Sequence, residues 1–562
     1  MISEILTFDG GLSTKTAPHL IGLNEGIICE NVDLESGILK PFSSLTYVDN
    51  VNGKHIYPYQ EIIISNQNKD ENRFYNRYNN IIYWSDAGYT INGIMKYNGT
   101  NIGIEADAPE PLTEIQLSKI VMELNSVKTG ALTESASYTY AFTVVDEDGI
   151  ESTPMIKESS VDLVNHHNSS INMKMSKTDW TTYFSGIFGI NIYRIGGSNP
   201  TFNLIAEGLT PSNTSIIDGD LDDDYTDGYV YYVDSVADIN VSRIELATFE
   251  NDKANESIDM LIENEGTFWG SVGKKIYFSQ TGSPEFWNKL DYVNLDKDCT
   301  GIGKYGSYII AFTRSSAYLI QGYSRDTISL QRLPFNQGCV NRYSIVNVGA
   351  YLVWSSLNGI CLYDGSTIQV ITKKTLSWDE FGRVGNYTYD DFNNSSQKWD
   401  TGIGFDIQYA VGFQDKYYGK FSDGIMVIDL ANGLKVSTIS TPDIASLAVN
   451  DDDNFLYVVV ELSDLTFDVY SLVNNNSKML ATWKTGRQAT GSVNIRKHYR
   501  QVDLDGIPTS VEVFIDGISK YISYGKSKFM LPPGLIGRDI QFEIKTTNEI
   551  RSLKYQYSTL KP

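Results

Sequence analysis

Apolar and polar residues alternate along this chain in short runs that Gly, Asn and Asp interrupt. Period-two alternation turns one face of a strand toward a core and the other toward water, so the pattern predicts an all-β protein. The best helical spacing, over 111–124 (PLTEIQLSKIVMEL), reads equally well as a strand pair.

One unit recurs: a short apolar strand, a polar turn, then a second strand ending in an aromatic residue. It is seen at 81–104, 268–287, 308–322, 351–371, 410–436 and 455–472. Tyr97-Asn98-Gly99 and Tyr363-Asp364-Gly365 take corresponding places, and Asn-Gly and Asp-Gly favour type I′ hairpin turns. Repeated meanders of about 40–50 residues are the mark of propeller blades. The expected fold is a β-propeller, although the irregular spacing does not fix the blade number. Trp269, Phe278, Phe312, Tyr318, Trp354 and Leu362 take inward positions of these units and are its expected core.

Between 109 and 236 the pattern changes. Alternating strands at 135–154, with a turn at Asp148-Gly149, and at 189–197 belong to about seven short strands, the content of an immunoglobulin- or fibronectin-like β-sandwich. This unit is expected as an insertion after the first blade. The chain then divides into an N-terminal segment with the first blade or blades (1–108), the inserted sandwich (109–236), the rest of the propeller (237–486) and a C-terminal β-sandwich (487–562). In the last unit four alternating stretches are broken at Asp505-Gly506, Asp516-Gly517 and Pro533-Gly534.

Charge separates that last unit from the others. It carries 12 Lys/Arg against 7 Asp/Glu, a balance of +5, which leaves −29 on the remainder of a chain with a net charge of −24. An acidic body does not grip phosphates, but it can line a passage along which DNA slides. The basic unit is expected to dock on an acidic surface, with Arg496, Lys497, Arg500 and Arg538 as the docking residues, because Arg is favoured at interfaces. A solvated sheet face is the alternative reading of that basic strand.

Catalytic signatures are missing. The chain has no GxSxG elbow, HExxH, Walker loop or strand-linked GxGxxG, so no enzyme and no cofactor are expected. His166-His167 stand in a polar run and read as a loop. The acidic loop from Asp218 to Asp227 fails the EF-hand pattern, because Tyr225 and Tyr231 stand where Gly and Glu are needed. Asp451–Asp453 read as a hairpin tip. Ser85-Asp86-Ala87-Gly88 lacks the spacing and tryptophan of a sialidase turn. Paired carboxylates for glycan hydrolysis need only spatial adjacency, so sequence leaves them open. The four cysteines show no CxxC spacing, the N-terminus lacks a signal-peptide pattern, and no apolar run reaches about 18 residues. Synthesis in a cytoplasm and no membrane-spanning segment are expected.

The N-terminus is the most specific stretch: Phe8-Asp9-Gly10-Gly11-Leu12, then Ala17-Pro18-His19-Leu20-Ile21, then Cys29-Glu30-Asn31-Val32-Asp33-Leu34 up to Lys40-Pro41. A Gly-Gly opening of this kind followed by a propeller resembles the tail nozzle or tail hub proteins of short-tailed bacteriophages. The blade 268–287, the insertion strands YTYAFTVVDEDGIESTP and INIYRIGG, and the C-terminal LPPGLIGRDIQFEIKTTNEIRSLKY are similar to the same family. Lys40-Pro41 departs from it, standing where an aromatic residue or Arg is common. The resemblance implies a ring, usually a hexamer, in the virion tail. Such a ring continues the DNA channel, retains the packaged genome and permits its ejection. Its partners would be itself, the adaptor or portal-proximal ring, fibres or spikes, and passing DNA. The stretch 8–41 is expected to thread between blades, reach a neighbouring subunit, or close its own propeller. The rival reading is a glycan-binding or glycan-degrading tail protein, an adhesin or depolymerase.

Overall fold

The computed structural model describes residues 1–8, 10–35, 37–51, 56–59, 62–65, 75–79, 81–85, 94–97, 102–105, 109–124, 130–159, 161, 163–164, 166, 169–209, 229–376, 382–383, 404–405, 407–422, 424–441, 443–450, 454–462, 466–472, 477–489 and 494–560. The acidic loop 218–227, the run 451–453, residue 167, the sialidase-like turn 86–88 and the Asn98-Gly99 turn lie outside the described residues. Strands dominate. Among the described residues the α-helices are Glu114–Lys119 and Lys177–Tyr183, and none is long and apolar enough to cross a membrane.

Among the described residues, five four-stranded antiparallel meanders follow one another, four of them as separate sheets and the fifth as part of a ten-stranded sheet. They run from Tyr75–Tyr78 to Ile102–Glu105, from Asp259–Asn264 to Tyr292–Asn294, from Gly301–Tyr305 to Ser329–Arg332, from Val346–Val348 to Ile368–Val370, and from Tyr409–Phe413 to Lys435–Ile439. A sixth sheet contains Ile444–Asn450, Phe455–Glu461 and Phe467–Ser471. Its outermost strand, Thr46–Val51, comes from near the N-terminus. First strands of successive sheets lie side by side, and Ile444–Asn450 meets the hairpin of Ile56–Tyr59 and Ile62–Ser65. Tyr57 of that hairpin packs on Ile82, Trp84 and Met95 of the first meander, which completes the circle. A ring of meanders joined at their first strands is a β-propeller.

Tight turns set the register. Glu265-Gly266, Gln414-Asp415 and Asp516-Gly517 all have positive φ at both positions, the type I′ geometry that matches strand twist. Asp364-Gly365 behaves differently from its expected I′ role. The link between Gly359–Tyr363 and Ile368–Val370 spans four residues, and the Asp364 carboxylate accepts from the backbone N–H of Ser366 and Thr367. Those bonds favour the charged form and hold this carboxyl below its ordinary pKa.

Blade packing is aromatic. Trp269 and Phe278 lie 5.1 Å apart and share a cluster with Tyr318. Phe312 and Trp354 lie 4.8 Å apart in the next cluster. Leu362 belongs to a third cluster, which continues from the propeller into the terminal sandwich. All six are buried.

The insertion, between the first and second meanders, is a sandwich of two antiparallel sheets. One contains Val121–Leu124, Ile171–Ser176 and Tyr229–Asp234; the other contains Met155–Glu158, Tyr138–Val145, Gly189–Gly196 and Asn199–Leu209. The stretch 111–124 resolves into both of its readings. Thr113 and Gln116 form a capping box that starts the short helix, and the strand Val121–Leu124 follows. The second helix starts at Ser176, whose hydroxyl accepts from Asp179 N–H.

Both chain ends share the terminal sandwich. Ile2–Ile5 pairs with Leu553–Thr559, which pairs with Lys497–Leu504. The facing sheet continues the fifth meander: Glu25–Glu30 lies between Lys435–Ile439 and Ala481–Thr485, followed by Ile540–Thr546, Ser510–Ile515 and Ile518–Tyr524. The Gly-Gly opening serves close approach. A Cβ on Gly10 would stand 2.5 Å from the Asn24 carbonyl oxygen, and Gly11 has φ +77.

Candidate interaction surface of the terminal sandwich

Strand pleat decides which basic residues reach solvent. Tyr499, Val502 and Leu504 point into the core, and a bulge shifts the register between Tyr499 and Gln501. Arg500, the extra residue, is exposed, and its carbonyl accepts from Leu531 N–H at 2.8 Å. Arg496 and Arg538 are exposed as well. Lys497 pairs with Gly537, so the antiparallel register sets Arg496 opposite Arg538 at one end of the strand. Arg500 lies four residues further on, about 13 Å away at ordinary strand rise.

Lys497 corrects the expected docking set. It shares the inward parity of Tyr499 and is fully buried, its Nζ donating to the carbonyls of Arg538 at 2.9 Å and Ile495 at 3.3 Å. Burial pulls its pKa below the ordinary lysine value. Asp516 accepts from the backbone N–H groups of Arg538 and Asp539. Burial raises the Asp539 carboxyl, against the opposing charge of Arg487. Three exposed arginines over a braced polar layer can meet carboxylates on a partner. Singly, such pairs are worth only about 0–1 kcal/mol, so they need to act together.

A second polar centre escaped the sequence reading. In the insertion, Arg194 is completely buried between Asp234 and Asp238. Tyr140 donates to Asp234 at 2.8 Å, and Tyr138 donates to Asp238 at 2.9 Å. Thr133 Oγ1 also donates to Asp238, at 2.7 Å. Burial and the adjacent carboxylate push the Tyr140 hydroxyl well above its ordinary pKa. Parity was the available signal: Arg194 follows Ile190 and Ile192 at even, inward positions. Both carboxylates are occupied by one cation and by hydroxyls, which suits them to hold the sandwich exit in place.

The cavities are sparing in chemistry. Where first strands of the sheets meet, a cavity of about 410 Å3 is lined by residues including Tyr57, Tyr343, Val346, Tyr409, Val411 and Leu447, with no acid, imidazole or thiol in its lining. A cleft of about 480 Å3 lies where the insertion joins the propeller, and its charges are paired: Lys253 with Glu110 at 2.5 Å and Lys289 with Asp252 at 3.1 Å. No group of three His, Cys, Asp or Glu positioned to hold a metal occurs among the described residues. His166 is exposed. All four thiols are buried, which pushes Cys299 up to about 11 and Cys339 to about 12.

No protein-family model and no curated protein matches this chain. Solved structures similar to it include AztD from Citrobacter koseri, at 10% identity and TM-score 0.26, over 73% of this chain and 98% of that one. BBS1N, in the crystal structure of its complex with ARL6DN, is similar at 9% identity and TM-score 0.27, over 78% and 100% of the respective chains.

Proposed function

We propose that this chain is a structural subunit of the tail nozzle or hub of a short-tailed bacteriophage, assembled as a ring, with six copies as the expected number. It acts in the virion tail and not as an enzyme. The ring continues the DNA channel, retains the genome and permits its release. Its neighbours are further copies, adjoining tail rings, and fibres or spikes.

The observation that carries this reading is the exposed trio Arg496, Arg500 and Arg538 on a +5 sandwich, joined to a body at −29. A basic end and an acidic remainder make a head-to-tail contact between copies favourable, and a contact of that kind closes into a ring when its rotation divides the circle. Carboxylates facing the passage repel phosphates and keep DNA mobile.

The test replaces Arg496, Arg500 and Arg538 by Glu together and follows assembly by mass photometry and negative-stain microscopy at low and high salt. Rings from the parent chain and monomers from the variant are expected, with the difference largest at low salt. A parent chain that stays monomeric inside intact tails would overturn the proposal.

A further inference from the structure

Three blades of the propeller keep their outer edges short. The outermost strands of the second, third and fourth meanders, Tyr292–Asn294, Ser329–Arg332 and Ile368–Val370, have three or four residues. The long strand Asn199–Leu209 is covered, because Leu204 N–H donates to Ile244 O and Leu246 N–H donates to Phe202 O. Short or covered edges prevent unwanted strand pairing.

Ile518–Tyr524 has neither protection. It is seven residues long, ends the ten-stranded sheet and, among the described residues, pairs only with Ser510–Ile515. Gly525 N–H donates to Thr509 O at 3.1 Å. Antiparallel ladders alternate, so the main-chain groups of Ser523 also face inward while those of Ile522 and Tyr524 point off the open edge. The side chains there are apolar and uncovered: Ile518 is 60% exposed, Ile522 42% and Tyr524 69%. The stretch 518–537 holds Lys520, Lys526 and Lys528 and no carboxylate. Lys528 reaches Asp503 at 3.5 Å, and Glu512 lies one strand inboard, opposite Ile522.

We propose that Ile518–Tyr524 is a docking edge that takes an extended acidic segment of another polypeptide as an added β-strand. Main-chain bonds from Ile522 and Tyr524 supply affinity, and side chains supply selection. The guest strand carries apolar residues opposite Ile522 and Tyr524, with carboxylates toward Lys520 at one end and Lys526 at the other. Two copies of this edge would instead crowd like-charged lysines together, which disfavours self-pairing. The inference does not depend on the ring reading, which uses different residues.

The experiment pans a displayed short-peptide library on the full chain and measures the selected peptides by fluorescence anisotropy. Ile522→Pro removes only an outward N–H and leaves the inward ladder intact; Lys520→Glu reverses the charge at one end. Thermal melts verify that each variant folds. Selected peptides should carry flanking carboxylates and protect the Ile522 and Tyr524 amides from hydrogen exchange. They should bind each folded variant about tenfold or more weakly, which is about 1.4 kcal/mol or more. Failure to select any peptide, selection without carboxylates, or undiminished binding to Lys520→Glu would overturn the proposal. Concentration-dependent self-association lost in Ile522→Pro would assign the edge to a second copy and overturn it equally.

Discussion

Phe8 meets Trp483 edge-on, with ring centroids 5.7 Å apart and planes at 83°. Both are fully buried. This contact joins the N-terminal segment to the strand Ala481–Thr485 inside the cluster shared by propeller and terminal sandwich. Phe8→Ala should therefore cost about 3–5 kcal/mol and loosen both units together. Chemical denaturation should show one lowered transition; a transition lowered in only one unit would contradict a shared core.

Trp354 packs against Phe312 with the ring planes tilted by 46°, and its Nε1 donates to Gly338 O at 3.0 Å. Trp354→Ala removes a buried ring and leaves that carbonyl without its donor. A loss of about 3–5 kcal/mol is expected, seen as insoluble protein or a much lower melting temperature. An unchanged melt would count against the blade packing described above.

Arg194 neutralises two buried carboxylates. Arg194→Ala strands Asp234 and Asp238 without a cation, and breaking a buried pair in this way costs about 3–5 kcal/mol. Limited proteolysis should show the insertion cut first while the propeller resists. Equal resistance of both would refute the assignment.

Glu285 is buried beside Tyr83, whose hydroxyl lies 3.5 Å from its Oε1. Burial raises its pKa, and nearby Asp146 acts in the same direction while Lys96 opposes it. Lys96 in turn holds Asp148 of the insertion at 2.7 Å. A carboxyl raised on folding favours the folded state most strongly below its unfolded pKa, and that advantage is lost as pH rises through the folded value. Glu285→Gln should raise the melting temperature at neutral pH and flatten its pH dependence in the mildly acidic range. Parallel pH profiles for parent and variant would rule this out.

Local alternation carried most of the fold. INMKMS over 171–176 and SVEVFI over 510–515 bury every second residue, and the turn Asp516-Gly517 marks the end of the latter. Parity also held the answer for Lys497 and Arg194, but composition drew attention first: a basic cluster reads as surface until each residue is assigned a face. Strand partners distant in the chain leave no such mark. Nothing in ISEI predicts pairing with 553–559, because any edge of matching pleat satisfies the same backbone groups. The docking edge was hidden for a related reason, since exposure of Ile522 and Tyr524 depends on which strand ends the sheet.

Thr46 and Ser471 face each other across the last blade although 425 residues separate them. Ribosomal synthesis delivers Thr46–Val51 long before its partner Phe467–Ser471. Until then the early strand has no ladder to join, and Ile2–Ile5 waits longer still for Leu553–Thr559. Contacts this non-local make closure slow, and unpaired strands invite association while they wait. The nascent chain thus passes through an open circle that locks only once Phe467–Ser471 has emerged, so a chaperone that shields strand edges should raise the yield of closed propellers more than one that accelerates early helix formation.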